Sequence, residues 1–115
     1  MRIAVYEDNL MWSPRLRKNI EGLGHEAVMV ARLEATLPEA EMAIVNLGSV
    51  SMKAETLVPR LKQAGQIVVA HAGHKEKDLH ALGRDLGCDL FATNSELANH
   101  LAKIIDKVAA KQSPG

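Results

Sequence analysis

Short apolar runs alternate along the chain with segments whose apolar residues have helical spacing. Five such runs recur at even intervals, and most of them lack strict alternation with polar residues. That pattern is typical of strands buried on both faces of a parallel sheet. We therefore predict five strands, at residues 3–6, 27–30, 42–45, 67–70 and 90–92.

The segments that follow the first three runs differ in their helical signals. The first has Ser13 as a candidate N-cap and Pro14 at the first helical position. The second, residues 32–37, is short and stops at Pro38. In the third, Pro59 predicts a helix that starts late or is kinked.

The last two segments predict the clearest helices. Leucines at helical spacing mark a fourth helix over residues 79–86, and a single long fifth helix is predicted over residues 97–108. Thr93 and Glu96, just before the fifth helix, have the spacing of a capping box. Strand alternating with helix predicts right-handed crossovers and a parallel sheet covered on both faces, a doubly wound (βα)5 domain of the α/β class.

Length and charge narrow the class of protein. The 115 residues suit one domain, which we assign to residues 1–110, followed by a flexible tail at 111–115. Fourteen Lys and Arg balance fourteen Asp and Glu, which argues against nucleic acid or an anionic membrane as partner. Cys88 is the single cysteine, and no apolar stretch approaches the roughly 20 residues that cross a bilayer. We expect a cytoplasmic protein.

Polar residues directly follow four of the predicted strands. The carboxyl ends of parallel strands meet at one edge of a doubly wound sheet, which is where ligands bind in such folds. Taken singly, each of these residues is an ordinary loop residue or helix cap, but together they predict a polar crevice. They are Glu7, Asp8 and Asn9 after the first run, Asn46 after the third, His71 after the fourth, and Thr93 and Asn94 after the fifth.

Several segments resemble the receiver domain of two-component response regulators. Residues 3–9 (IAVYEDN) resemble the first strand and acidic pair of that family, and residues 42–47 (MAIVNL) resemble its third strand with the phosphoacceptor. Further similar segments are residues 23–26, 67–72 and 82–89. The resemblance extends over residues 2–108 and implies a flavodoxin-like, five-stranded parallel sheet of order 2-1-3-4-5.

The positions that carry the chemistry of that family differ here. Asn46 stands at the phosphoacceptor aspartate, His71 at the Thr or Ser position and Asn94 at the lysine, so that only Glu7 and Asp8 match. A neutral amide forms no acyl phosphate, and loss of the lysine removes positive charge on which phosphoryl transfer depends. We therefore predict that these five residues form a degenerate phosphorylation pocket without catalytic residues, as in a pseudo-receiver.

Two interpretations of the acidic pair stay open. Glu7 and Asp8 hold Mg²⁺ weakly, or the Asn46 amide or His71 hydrogen-bonds to the carboxylates and replaces the metal. If His71 lies against these carboxylates, we expect a raised pKa, which would make it a pH switch; an ordinary polar role, or a desolvated and neutral ring, is the alternative. The chain spacing of three histidines disfavours a metal site made by them: His71, His74 and His80.

The sequence also singles out the two aromatic residues Trp12 and Phe91, each with two possible roles, and the cysteine Cys88, with one. Trp12 either packs on the domain or contacts a partner at the crevice rim. Phe91 occupies the position of the family's switch aromatic, with packing in the core as the alternative. Cys88, without a paired cysteine or an activating base in the sequence, is expected to be a small buried residue.

The resemblance also implies a partner-binding face on the fourth helix, fifth strand and fifth helix, with a plain solvated helix face as the alternative. We predict a signalling module that acts through contacts with another signalling protein or a second copy of itself, without phosphorylation. A domain that senses a ligand or metal in the crevice is the other hypothesis. No enzymatic activity is expected, since the sequence has no Gly-rich phosphate loop or activated nucleophile. The candidate surface comprises Arg84, Asp85, Asn99, His100, Lys103 and Lys107.

Overall fold

Five parallel strands form the centre of the computed structural model, which describes residues 1–112. Each predicted apolar run lies within one of them. In the sheet they pair in the order 2-1-3-4-5, which confirms the predicted flavodoxin-like topology. The strands are Arg2–Tyr6 (β1), Glu26–Val30 (β2), Met42–Asn46 (β3), Ile67–Ala72 (β4) and Leu90–Thr93 (β5).

Helices cover both faces of the sheet. They are Ser13–Gly22 (α1), Ala54–Gln63 (α2), Lys77–Asp85 (α3), Asn94–Asn99 (α4) and Leu101–Gln112 (α5), with a 3₁₀ turn at Val50–Met52. Alternation along β1 sends Ile3 and Val5 towards α1 and α5, and Ala4 and Tyr6 towards α2 and α3. Both sets are buried, which explains the continuous apolar run in the sequence.

The connection between β2 and β3 contains no helix and departs from a full (βα)5 repeat. Its leucines, Leu33 and Leu37, are only partly buried against the α2 side of the core. Instead of helical bonds, side chains from elsewhere fix its backbone: Arg60 Nη2 donates to Ala35 O (2.8 Å) and Gln66 Nε2 donates to Pro38 O (3.1 Å).

Two helix starts differ from prediction. Trp12, not Ser13, is the N-cap residue of α1, and no side chain caps it, although Pro14 lies in the first turn as expected. Helix α2 begins at Ala54, well before Pro59, because the proline is accommodated on an exposed position inside the helix.

The predicted long fifth helix is two helices. Thr93 and Glu96 form the predicted capping box, which starts α4 directly at the end of β5. The backbone of His100 (φ −132°, ψ 32°) leaves the helical region and separates α4 from α5. Helix α5 extends to Gln112, so the first two residues of the predicted tail are helical, and the rest of that tail, residues 113–115, lies outside the described residues.

Candidate functional site

The carboxyl edge of the sheet holds a small polar cavity of about 170 Å³. Glu7 follows β1 directly, Asn46 ends β3, His71 lies beside it in the register of β4, and Asn94 begins α4. The topology therefore brings together four of the five residues predicted for the pocket. The cavity is lined by Glu7, Asn9, Trp12, Asn46, His71 and Asn94.

Glu7 is buried, with only 2 % of the residue exposed. Its Oε2 accepts hydrogen bonds from Asn46 Nδ2 (2.8 Å) and from the backbone N of Asn9 (3.3 Å). Its Oε1 has no hydrogen-bond partner among residues 1–112 and lies 3.6 Å from His71 Nε2. The structure thus forms the amide-to-carboxylate bond that the sequence offered as an alternative to a metal.

His71 is buried next to that carboxylate, with Nδ1 2.7 Å from Asn94 Oδ1. Burial lowers the pKa of His71 below its ordinary value, because the imidazolium loses its hydration; this effect outweighs the hydrogen bond to Asn94 and the charge of Glu7, which both raise it. The predicted raised pKa is therefore wrong. At neutral pH the ring is uncharged, and its contact with Glu7 is not an ion pair.

Asp8 lies outside this cluster. It is exposed, and its Oδ2 accepts a hydrogen bond of 2.6 Å from Ser51 Oγ on the β3–α2 connection. Hydrogen bonding from Ser51, and then from Ser49, lowers the pKa of Asp8. No sequence signal links Ser51 to Asp8, because the contact joins the loop after β1 to a 3₁₀ turn far away in the chain.

This arrangement does not fit Mg²⁺, the ion considered for Glu7 and Asp8 from the sequence. Mg²⁺ requires near-octahedral oxygen ligands, whereas Glu7 and Asp8 face different environments and the pocket offers an imidazole nitrogen. Within residues 1–112, no three His, Cys, Asp or Glu side chains cluster as metal ligands. His74 is exposed, and His80 Nε2 lies 3.0 Å from Gly73 O.

Trp12 forms one wall of the cavity. It is partly buried against the α1 and α5 side of the core, and its ring centroid lies 6.4 Å from that of His71. These contacts agree with the interpretation that Trp12 packs on its own domain. Beside it, Leu10 and Met11 project into solvent with 75 % and 92 % exposure, a feature that the predicted strands and helices did not indicate.

The candidate partner face borders the edge strand β5. Phe91 is 37 % exposed, so it does not pack in the core; its ring lies 4.3 Å from that of His80. Arg84 lines the same groove, which has a volume of about 340 Å³.

Cys88 also lines this groove. Burial, and then the charge of Asp89, raises the pKa of its side chain to about 11, so it stays a thiol at neutral pH. The six predicted surface residues are all exposed: Arg84, Asp85, Asn99, His100, Lys103 and Lys107.

Comparison with known proteins identifies the fold. No protein-family model and no curated protein matches the sequence. Among solved structures, the receiver domain of the Francisella response regulator 1452 aligns with a TM-score of 0.80 at 10 % identity, covering 97 % of this chain and 98 % of that one. A CheY-like receiver domain protein from Methanospirillum hungatei JF-1 aligns with a TM-score of 0.78 at 17 % identity, covering 99 % and 98 %.

A third similar structure comes from a family of redox sensors in the streptococci that evolved from two-component response regulators. It aligns with a TM-score of 0.79 at 11 % identity, covering 96 % of this chain and 52 % of that one. At these identities the likeness establishes the fold, which is that of response regulator receiver domains. Among residues 1–112, no helix combines the length and apolar character needed to cross a membrane.

Proposed function

We propose that this chain is a receiver-like regulatory module, a pseudo-receiver, that signals through protein contacts without aspartyl phosphorylation. Asn46 carries the proposal. It ends β3 at the position of the phosphoacceptor in the resemblance, and its amide donates to Glu7 Oε2 instead of presenting a carboxylate oxygen. A neutral amide, with its nitrogen lone pair delocalised, does not attack phosphorus to form an acyl phosphate.

The neighbouring side chains support the same proposal. His71 and Asn94, at the positions of the hydroxyl and the lysine, bond to each other 2.7 Å apart. Neither places positive charge where the equatorial oxygens of a phosphoryl group would lie, since the imidazole is neutral at pH 7. The streptococcal redox sensors offer a precedent for receiver-derived proteins with a sensing role.

Incubation with acetyl phosphate and Mg²⁺, followed by intact-protein mass spectrometry, tests the proposal. We expect no phosphoryl adduct, while a phosphorylatable receiver domain in the same mixture gains one. The variant Asn46→Asp is expected to gain little, because His71 and Asn94 remain. A stoichiometric, hydroxylamine-labile adduct on the wild-type protein contradicts the proposal.

The proposed contact surface lies around β5, where Phe91 and Arg84 border one groove. An exposed aromatic beside an arginine, with a polar rim, has the composition of an interface hot spot. We expect Arg84→Glu combined with Lys103→Glu to weaken self-association or partner retention at least about tenfold, whereas Lys18→Glu on α1 has no effect. Sedimentation and pull-down measure both. Loss of binding in Trp12→Ala alone would place the working surface at the pocket rim.

A further inference from the structure

Two electron-rich atoms face each other in the polar cavity with no hydrogen bond between them. Glu7 Oε1 and His71 Nε2 are 3.6 Å apart, which exceeds the 2.7–3.2 Å range of an N–H···O hydrogen bond. Both residues are at least 98 % buried, and neither atom has a hydrogen-bond partner among residues 1–112. Buried polar atoms are normally paired, so two unpaired atoms this close together call for an explanation.

The neighbours of these atoms leave both of them as bare acceptors. Asn94 Oδ1 can only accept, so the ring proton of neutral His71 lies on Nδ1, and Nε2, 3.6 Å from Glu7 Oε1, keeps its lone pair without a donor. On the other side, Asn46 Nδ2 and the backbone N of Asn9 both donate to Glu7 Oε2, so Oε1 is the carboxylate oxygen left without a donor. An acceptor pair fixed in this way attracts a cation.

We propose that Glu7 Oε1 and His71 Nε2 bind one divalent transition-metal ion of the Zn²⁺ class. Bonds of about 2.0–2.2 Å from such an ion span this separation at a ligand–metal–ligand angle of roughly 120°, close to tetrahedral. An imidazole ligand selects Zn²⁺, Cu²⁺ or Ni²⁺ over Mg²⁺. The cavity of about 170 Å³ beside the two atoms has room for the water molecules that complete the coordination.

The surrounding asparagines match the outer shell that metal sites use. A ligating histidine usually donates its second ring N–H to an oxygen, as His71 Nδ1 does to Asn94, and a ligating carboxylate is itself hydrogen-bonded, as Glu7 is by Asn46. Asn94 and Asn9 are exposed and lie on the rim of the cavity that Glu7 and His71 line. The site does not depend on the proposed function, because it involves no phosphoryl chemistry.

Titration calorimetry of the chelator-treated protein tests the site. We expect one Zn²⁺ per chain, no competition from Mg²⁺, and at least about tenfold weaker binding in Glu7→Gln and in His71→Gln. Co²⁺ gives a second readout, because a four-coordinate site produces visible absorption that both variants lose. Asp8→Asn is the matched control on the adjacent exposed carboxylate. His25→Gln is the second control, since His25 Nδ1 lies 2.7 Å from the amino group of Met1 and offers surface nitrogens.

The controls also define the results that overturn the inference. No Zn²⁺ binding, equal binding of Mg²⁺, or binding lost only in His25→Gln would each exclude the Glu7–His71 site. Circular dichroism checks the fold of the variants. If substitution of a buried residue unfolds the protein, Asn94→Ala on the exposed rim is expected to weaken Zn²⁺ binding about 10- to 100-fold, and unchanged affinity there counts against the site. The acetyl phosphate experiment tests whether Asn46 is phosphorylated, so the proposed function stands or falls independently of these metal-binding results.

Discussion

Glu7 and Asp89 are carboxylates at opposite ends of the same sheet, and they are paired very differently. Asp89, just before β5, accepts from Lys62 Nζ on Oδ1 (2.6 Å) and from Val68 N on Oδ2 (2.8 Å), and its side chain is 23 % exposed. Glu7 has only 1 % side-chain exposure, no cation, and one oxygen without a hydrogen bond among the described residues. The more deeply buried charge is therefore the less completely paired.

This difference in pairing indicates that Asp89 stabilises the fold, whereas one oxygen of Glu7 remains available to bind a ligand. Burial of an ionised group costs free energy unless partners replace its hydration. Burial raises the pKa of Asp89, but hydrogen bonds from Lys62 and Val68, together with the charges of Lys62 and Lys111, lower it overall. Among the described residues Glu7 has no lysine or arginine beside it, only the imidazole of His71, which is why we assign Glu7 a binding role and Asp89 a structural one.

Substitution of both residues is the strongest test of this comparison. Asp89→Ala leaves the Val68 N–H without its acceptor and is expected to lower the free energy of unfolding by about 1–3 kcal/mol. Glu7→Gln keeps an oxygen for Asn46 and turns an N–H towards His71 Nε2, so the metal-free protein should be at least as stable as the wild type. Urea unfolding with chelator present measures both. An equal loss in the two variants would break the comparison.

A smaller effect is expected in the pH dependence of the free energy of unfolding. It tests whether protonated His71 can pair with Glu7 as Lys62 pairs with Asp89. Since the pKa of His71 is lowered in the folded state, the unfolded chain binds this proton more readily. Stability of the metal-free protein should fall as pH drops below about 6.5, with a slope of at most about 1.4 kcal/mol per pH unit.

The matched variant for this experiment is His71→Gln, which should lose that part of the slope. Urea unfolding at a series of pH values, with chelator present, measures it in both proteins. Stability of the wild type that instead increases on acidification, relative to His71→Gln, would show that Glu7 and protonated His71 form a stabilising ion pair.

The apolar runs were sufficient to locate the five strands, most clearly β1, β3 and β4, whose burial dictates their composition, while the strand order 2-1-3-4-5 was implied by the resemblance to receiver domains. The same reasoning predicted that Glu7, Asn46, His71 and Asn94 converge, since parallel strands all end at one edge. It failed for Asp8, whose side chain bonds to Ser51 in the 3₁₀ turn between β3 and α2. No local pattern encodes such a contact.

The pKa of His71 also escaped prediction, for an energetic reason. The neighbouring carboxylate was anticipated, but the sequence does not reveal how completely the ring is removed from water, and that desolvation dominates. The break between α4 and α5 at His100 was also not predicted. Leu97 and Leu101 keep helical spacing across the break and are both buried, so the apolar periodicity predicts one continuous helix.

The polar cavity is assembled from segments that are distant along the chain, and this affects how an occupant acts on the domain. Its walls come from the end of β1, from β3, from β4 and from the start of α4 after β5, so no fragment of the sheet contains it. An ion or molecule held there binds only the fully assembled fold. Its binding energy is therefore added to the global unfolding equilibrium rather than to the opening of one loop, and occupancy would tighten all four segments together.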